Sequence, residues 1–169
     1  MGLAVVKFST LDPGGMGIEM EAGKPGWYDA LNGLPGLFGS SMCETYELHR
    51  LLTFLTNAMA ARPEAEVALP IEQGRLLQHV REAVSAWGSS SDENRDYVCW
   101  DAMTVAREAY REDTRMGIDG ETQAFVCQDL FPVLMEFQAK VAFGIQRSKE
   151  LSPGVPPTYL TYRAIDVEE

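Results

Sequence analysis

Apolar residues recur at spacings of three and four through most of the chain after Ser41, and this periodicity predicts amphipathic helices. Four helices are expected, over about residues 41–61, 70–88, 90–116 and 120–150. Long helices joined by short turns favour antiparallel helical hairpins, so the predicted fold class is mainly α. The inward-facing residues are expected to be Leu48, Leu51, Leu52, Leu55 and Met59, then Leu76, Leu77, Val80, Val84 and Trp87, then Val98, Ala102, Val105 and Ala109, and finally Phe125, Val126, Leu130, Val133, Leu134, Phe137, Val141 and Ile145.

Several residues mark the boundaries of these helices by their capping chemistry. Ser41 and Glu44 have the spacing of a capping box, and so do Ser90 and Glu93, so a helix is expected to begin near each serine. Pro132 lies inside the last helical pattern, where its missing N–H predicts a kink.

Both ends of the chain carry β-prone runs. Residues 3–8 and 17–21 flank Asp12-Pro13-Gly14-Gly15, which predicts a hairpin or an extended pair of segments bridged by a turn. Residues 158–167 are rich in β-branched and aromatic side chains, which predicts a strand, although no partner for it is obvious in the chain. The predicted organisation is a β hairpin and loop over residues 1–40, four helices over residues 41–152 and a strand or linker over residues 153–169.

The loop over residues 23–39 is the strongest candidate for chemistry. Its glycines and prolines disfavour a packed element, so its side chains are expected to be displayed for contact with another molecule. Trp27, Tyr28 and Asp29 place two aromatic rings and one carboxylate side by side in this loop. The loop then leads into the helix predicted to begin at Ser41.

Composition narrows the choice of partner and compartment. A net charge of −11 and a pI near 4.6 disfavour nucleic acid and anionic membranes, which bind clustered Lys and Arg. The start of the chain does not resemble a secretory signal, and no apolar run reaches membrane-spanning length.

The three cysteines, Cys43, Cys99 and Cys127, are odd in number and far apart in the sequence, which favours reduced thiols and a cytoplasmic location. His49 and His79 lie on different predicted helices, so no metal site is expected.

Residues 26–33 read Gly-Trp-Tyr-Asp-Ala-Leu-Asn-Gly and resemble a motif of the cellobiose phosphorylase family and its inverting carbohydrate-active relatives with an (α/α)6 barrel. In that family a Gly-Asp-Trp-Asn-Asp-Gly-Met-Asn loop lies at the mouth of the barrel. The resemblance is strong over residues 23–41 and weak over most of the chain. Gly26, Tyr28 and Ala30-Leu31 depart from the family motif, which leaves the exact substrate open.

The resemblance implies a role for each matched residue. Asp29 takes the position of the general acid that protonates the glycosidic oxygen. Trp27 matches the tryptophan beside the sugar, Tyr28 stands next to it in the substrate-binding loop, and Asn32 matches the closing asparagine. The implied fold is part of an (α/α)6 barrel and the implied substrate is a gluco-oligosaccharide. No cofactor is expected, and inorganic phosphate is a candidate co-substrate.

The chemistry of the motif agrees with these roles. A carboxylic acid that donates a proton near neutral pH needs apolar or aromatic walls that raise its pKa, and Trp27 and Tyr28 can supply them. An inverting hydrolase uses a second carboxylate to activate water, whereas in a phosphorylase inorganic phosphate attacks instead. Glu19 and Glu21 flank the loop and are candidates for that second acid, but the sequence does not choose between the two reactions.

Other interpretations of the sequence stay open. Asp29 can bond backbone amides in a turn, as loop aspartates often do. Four helices supply only part of a barrel, so the chain is expected to be a fragment, or a split or truncated product, with little activity of its own and with the remainder of the enzyme as its partner. The alternative to an enzyme segment is a non-catalytic helical interaction module, whose apolar stripes dock onto another chain.

Overall fold

The computed structural model describes residues 1–19 and 39–161, and within them the chain is mainly helical, as predicted. Helices cover 63% of the structure. In chain order the elements are α1 (Gly2–Phe8), β1 (Ile18–Glu19), β2 (Gly39–Ser41), α2 (Met42–Ala61), β3 (Glu66–Pro70), α3 (Ile71–Ser89), α4 (Arg95–Asp113), β4 (Thr122–Val126), α5 (Cys127–Leu151) and β5 (Tyr159–Thr161).

The helices pack mainly in two pairs. Helix α2 lies against α5, and α3 lies against α4, while α3 also contacts α5 and α1. The shared core contains Leu48 and Leu52 of α2, Leu76 and Val80 of α3, and Phe137 of α5, all nearly free of solvent contact. Among residues 1–19 and 39–161, no helix combines the length and the apolar character needed to cross a membrane.

Two small antiparallel sheets tie distant parts of the chain together. Strand β3 pairs with β4 from Glu66 opposite Val126 to Pro70 opposite Thr122. Strand β2 lies between β1 and β5, with Ser40 opposite both Glu19 and Leu160. The predicted C-terminal strand is therefore confirmed over Tyr159–Thr161, and the expectation that it lacks a partner in this chain is wrong.

The N-terminal hairpin prediction is wrong, because residues 2–8 form a helix. Ala4, Val5 and Phe8 are buried on one side of α1, at helical spacing. The ring of Phe8 stacks on that of Phe137 with the centroids 4.2 Å apart. A helix can bury these residues on one face, whereas a strand would alternate them between two faces.

The predicted last helix begins later than expected. Residues 122–126 form β4, and α5 starts at Cys127 and continues through Pro132. The hydrogen-bonding partner that favours a strand here is β3, more than fifty residues earlier in the chain. Short apolar runs of this kind cannot be assigned to helix or strand by local periodicity alone.

Helix α4 turns a different face to the core than the sequence suggested. Val98 and Val105, predicted to point inward, are 60% and 65% exposed, and Ala102 and Ala109 are exposed as well. The buried residues are Cys99, Met103 and Ala106. Both sets have helical spacing, so the periodicity fits either face.

One of the two predicted capping boxes is present in part. The Ser41 hydroxyl accepts the Glu44 backbone N–H at 3.4 Å at the start of α2. The Glu44 carboxylate pairs with the Lys7 ammonium of α1. Helix α4 instead begins after Asn94, and the Ser90 hydroxyl accepts the Asp92 N–H in the preceding turn.

A buried ion pair joins α4 to α5. The Lys140 ammonium, on a side chain only 1% exposed, donates to Asp96 Oδ1 at 2.7 Å and lies 4.2 Å from the Trp87 ring centroid. Trp87 Nε1 and Arg147 Nη1 donate to the same carboxylate at 2.7 and 2.8 Å. Burial by itself raises the pKa of Asp96, but the hydrogen bonds and charge of Lys140, followed by Trp87 and Arg147, bring it below its ordinary value.

The turn after α1 is pressed against α5 at two glycines. Gly15 has φ +65°, a conformation that glycine adopts without strain. A Cβ on Gly144 would collide with the Gly15 carbonyl oxygen, which is backbone and cannot rotate away. Gly144 thus allows residues 14–16 to lie directly on the helix.

We expect Gly144→Ala to destabilise the fold by about 2 kcal/mol, because the added methyl group forces the turn and the helix apart. Gly88→Ala in α3 is the matched control, since a Cβ there meets nothing within 4 Å. That control should be neutral or slightly stabilising, since alanine is the better helix former. Urea unfolding midpoints measure both effects, and equal midpoints for the two variants would contradict the close contact.

Candidate functional site

The residues that carry the predicted chemistry, Trp27, Tyr28, Asp29 and Asn32, lie outside the described residues, as does Glu21. The structure describes the chain on either side of them. Glu19 ends β1, Gly39 begins β2, and Glu19 pairs with Ser40 across the two strands. The two ends of segment 20–38 therefore lie side by side, and the candidate site is the group of side chains around this point.

Asp12 fixes the backbone beneath the site. Its carboxylate accepts the Met16 N–H at 2.9 Å, the Gly17 N–H at 2.6 Å and the Ser40 hydroxyl at 2.6 Å. Asp12 is 1% exposed, so these donors replace the water that a buried carboxylate loses. One side chain therefore holds both the turn before β1 and the middle residue of β2.

The sequence contains a signal for this arrangement. The Asp12-Pro13-Gly14-Gly15 turn was predicted, and the backbone closes it through a hydrogen bond of 2.7 Å from the Gly15 N–H to the Asp12 carbonyl oxygen. The Ser40 partner follows from long-range folding and has no local signal in the sequence.

Glu19 lies at the end of β1 and faces α4. Its Oε1 accepts the Trp100 indole N–H at 2.9 Å, and its Oε2 lies 3.4 Å from Arg107 Nη1. Arg107 also donates to the Ser9 carbonyl oxygen at 2.9 Å, so the guanidinium is held from two sides. The Glu19 side chain is 26% exposed, so it is partly accessible to solvent.

The electrostatic environment raises the pKa of the Glu19 carboxyl. Burial is the main cause, because it penalises the charged form, and the nearby charge of Asp12 acts in the same direction. The Trp100 hydrogen bond and the Arg107 charge oppose this shift without cancelling it. A carboxyl group whose pKa is moved toward neutrality suits proton transfer.

A pair of aromatic rings adjoins this carboxylate. The rings of Tyr97 and Trp100 have centroids 5.4 Å apart and planes tilted by 41°. Tyr97 is 57% exposed, whereas Trp100 is partly buried and held by Glu19. Neither ring has a local signal in the sequence, because the contact with Glu19 depends on the packing of α4.

A separate cleft of about 590 Å³ lies between α3, β4 and α5. Its lining includes Arg81, Glu82 and Asp129 but none of the residues around Glu19. In residues 1–19 and 39–161 there is also no group of three or more His, Cys, Asp or Glu side chains placed to hold a metal ion.

Comparison with known proteins found no family model that matches the sequence and no match among the curated proteins. The resemblance of residues 26–33 to the cellobiose phosphorylase motif therefore stays a prediction.

The raised pKa of Glu19 predicts a specific dependence of stability on pH. Below its ordinary pKa of 4.5 the carboxyl is protonated in both the folded and unfolded chains. As the pH rises, the unfolded chain releases this proton first, so Glu19 lowers the free energy of unfolding. We expect Glu19→Gln to gain stability relative to the wild type as the pH rises above the ordinary pKa of 4.5, as measured by urea unfolding.

Asp96→Asn is the control of opposite sign. The pKa of Asp96 is lowered, so its charged form stabilises the fold above the unfolded-state pKa, and that stability is lost as the pH falls through the folded-state pKa. This variant should therefore lose stability relative to the wild type as the pH rises. A difference between Glu19→Gln and the wild type that does not change with pH would contradict the assigned environment of Glu19.

Proposed function

We propose that the chain is a segment of a carbohydrate-active enzyme that cleaves a gluco-oligosaccharide with inversion, and that Asp29 is its general acid. Glycoside phosphorolysis is the preferred reaction, and hydrolysis on the same fold, part of an (α/α)6 barrel, is the alternative. The observation that carries the proposal is the pairing of Glu19 with Ser40, which brings both ends of the motif-bearing segment to a carboxyl group of raised pKa.

The surroundings of this segment support the proposal. The resemblance requires a loop that leads into a capped helix, and β2 passes directly into α2 with Ser41 as its N-cap. Helices α3 and α4, which follow one another along the chain, pack together as the two helices of a hairpin do. Glycosidases and related enzymes also place carboxylates beside aromatic rings, and Glu19, Tyr97 and Trp100 form such a group here.

In the proposed reaction, one group donates a proton to the leaving sugar and a different group acts as the nucleophile. Asp29 donates its proton to the glycosidic oxygen as the bond to the anomeric carbon breaks. In the phosphorylase, inorganic phosphate attacks that carbon from the opposite face and forms a sugar phosphate. In the hydrolase, a carboxylate removes a proton from the attacking water, and Glu19, whose pKa is raised mainly by burial, is the candidate for this role among the described residues.

The outer face of α4 favours a second candidate function, that of a helical interaction module. Val98 and Val105 are 60% and 65% exposed and lie on one stripe with Ala102 and Ala109. Such a stripe is a candidate docking surface for another protein. It does not explain the Glu19 environment, so the carbohydrate function is preferred.

Sugar binding by the purified chain tests the preferred function, because binding needs fewer groups than turnover does. We expect the wild type to bind cellobiose or a longer cello-oligosaccharide in a calorimetric titration. Trp27→Ala should weaken binding roughly tenfold, because it removes the ring that the resemblance assigns to sugar contact. Asp29→Asn should preserve binding and, where turnover is measurable, reduce it by at least about 100-fold, as expected for loss of a general acid.

Asp129→Asn is the matched control, since it alters a carboxylate of the cleft between α3, β4 and α5 and should change neither binding nor turnover. Measuring turnover with and without inorganic phosphate separates the phosphorylase from the hydrolase. If the wild-type chain shows no binding of cellobiose or longer cello-oligosaccharides in the titration, the proposal is contradicted. If that chain also elutes in a specific complex with another protein, the interaction module becomes the preferred function.

A further inference from the structure

We propose that Tyr97, Trp100 and Glu19 form a binding subsite for one pyranose ring of a neutral oligosaccharide. This inference rests on the proposed carbohydrate function and extends it, because it assigns substrate contacts to residues outside the motif. The two rings supply an apolar surface, and the carboxylate beside them supplies hydrogen-bond acceptors.

The geometry of the two rings suits a sugar. With centroids 5.4 Å apart and planes tilted by 41°, the rings do not cover each other's faces as parallel stacked rings would. Tyr97 is 57% exposed, so an apolar ring face is available to a ligand. The C–H groups on one side of a pyranose form a flat apolar patch that can lie on such a ring.

Trp100 is positioned before any ligand binds. Its indole N–H donates to Glu19 Oε1 at 2.9 Å, which fixes the orientation of the ring. Ordering a side chain on binding costs free energy, so a ring that is already held in place lowers this cost. The same hydrogen bond places the carboxylate at the edge of the aromatic surface.

Glu19 has capacity for further hydrogen bonds. Each oxygen of a carboxylate can accept about two hydrogen bonds, and among the described residues Trp100 and Arg107 provide one donor to each oxygen. The side chain is 26% exposed, so a sugar hydroxyl can reach it. Asp12 offers no such access, since it is 1% exposed and already accepts three hydrogen bonds.

Charge favours a neutral ligand over an anionic one. The Arg107 guanidinium is directed to Glu19 and to the Ser9 carbonyl oxygen, and its side chain is only 12% exposed. The buried Asp12 carboxylate adds negative potential close to Glu19. A phosphate group would therefore meet a carboxylate and an already paired arginine, whereas sugar hydroxyls can donate to the carboxylate.

Nuclear magnetic resonance of the indole N–H groups tests the subsite directly. The chain has three tryptophans, so a ¹⁵N spectrum of the intact protein separates the signals of Trp27, Trp87 and Trp100. Single Trp→Phe variants assign them. We expect titration with cellotetraose to shift the Trp100 signal in a saturable way, while Trp87, whose indole N–H donates to Asp96 and not to Glu19, stays unchanged.

Tyr97→Ala should weaken the response of Trp100 at least about fivefold, as expected from losing one aromatic contact, and should leave the Trp27 response in place. Phe54→Ala is the matched control, because Phe54 is a 69% exposed ring on a different helix, and it should change neither response. An unchanged Trp87 signal in each variant shows that the fold is preserved.

The outcomes separate this inference from the proposed function. If cellotetraose shifts the indole signal of Trp27 but not that of Trp100, the subsite is overturned and the proposed function is still supported. A shift at Trp100 alone, abolished by Tyr97→Ala, would support the subsite and remove the support for the motif. If neither the Trp27 nor the Trp100 signal shifts, both the subsite and the proposed function are overturned. If the Trp100 signal shifts equally in the wild type and in Tyr97→Ala, the subsite is overturned.

Discussion

The buried carboxylate of Asp12 is the interaction on which the candidate site depends. It accepts hydrogen bonds from the backbone of Met16 and Gly17 and from the Ser40 hydroxyl, which belong to parts of the chain separated by segment 20–38. A charged group without water is stable only when such donors surround it. Asp12 therefore fixes the distance between β1 and β2, and through β1 it fixes Glu19 against α4.

A second set of contacts anchors the same turn to the helices. Arg147 donates to the Gly14 carbonyl oxygen at 3.3 Å and to Asp96, whose other oxygen accepts Lys140. Gly144 allows the turn to approach α5 closely. The position of Glu19 thus depends on two polar networks, one around Asp12 and one around Asp96, that meet at residues 12–17.

The sequence predicted those features that local patterns determine. The stripes of α2 and α3, the Ser41 cap and the Asp12-Pro13 turn all follow from spacing and residue type over a few positions. The errors concern contacts between distant residues. Residues 122–126 form a strand because β3 pairs with them, and α4 buries Cys99 and Met103 because of how it packs on α3. The partners of Glu19 were missed for the same reason, while Trp27 and Asp29 lie outside the described residues.

Hydrogen exchange in Asp12→Asn tests the central claim most directly. An asparagine keeps one acceptor oxygen and loses the other, so either the Met16 N–H or the Gly17 N–H should exchange at least about tenfold faster, and the Trp100 indole signal should shift as Glu19 moves. Asp92→Asn, at an exposed turn, should change neither quantity. Unchanged protection of both the Met16 and the Gly17 N–H groups, together with an unchanged Trp100 signal in Asp12→Asn, would contradict the role of Asp12.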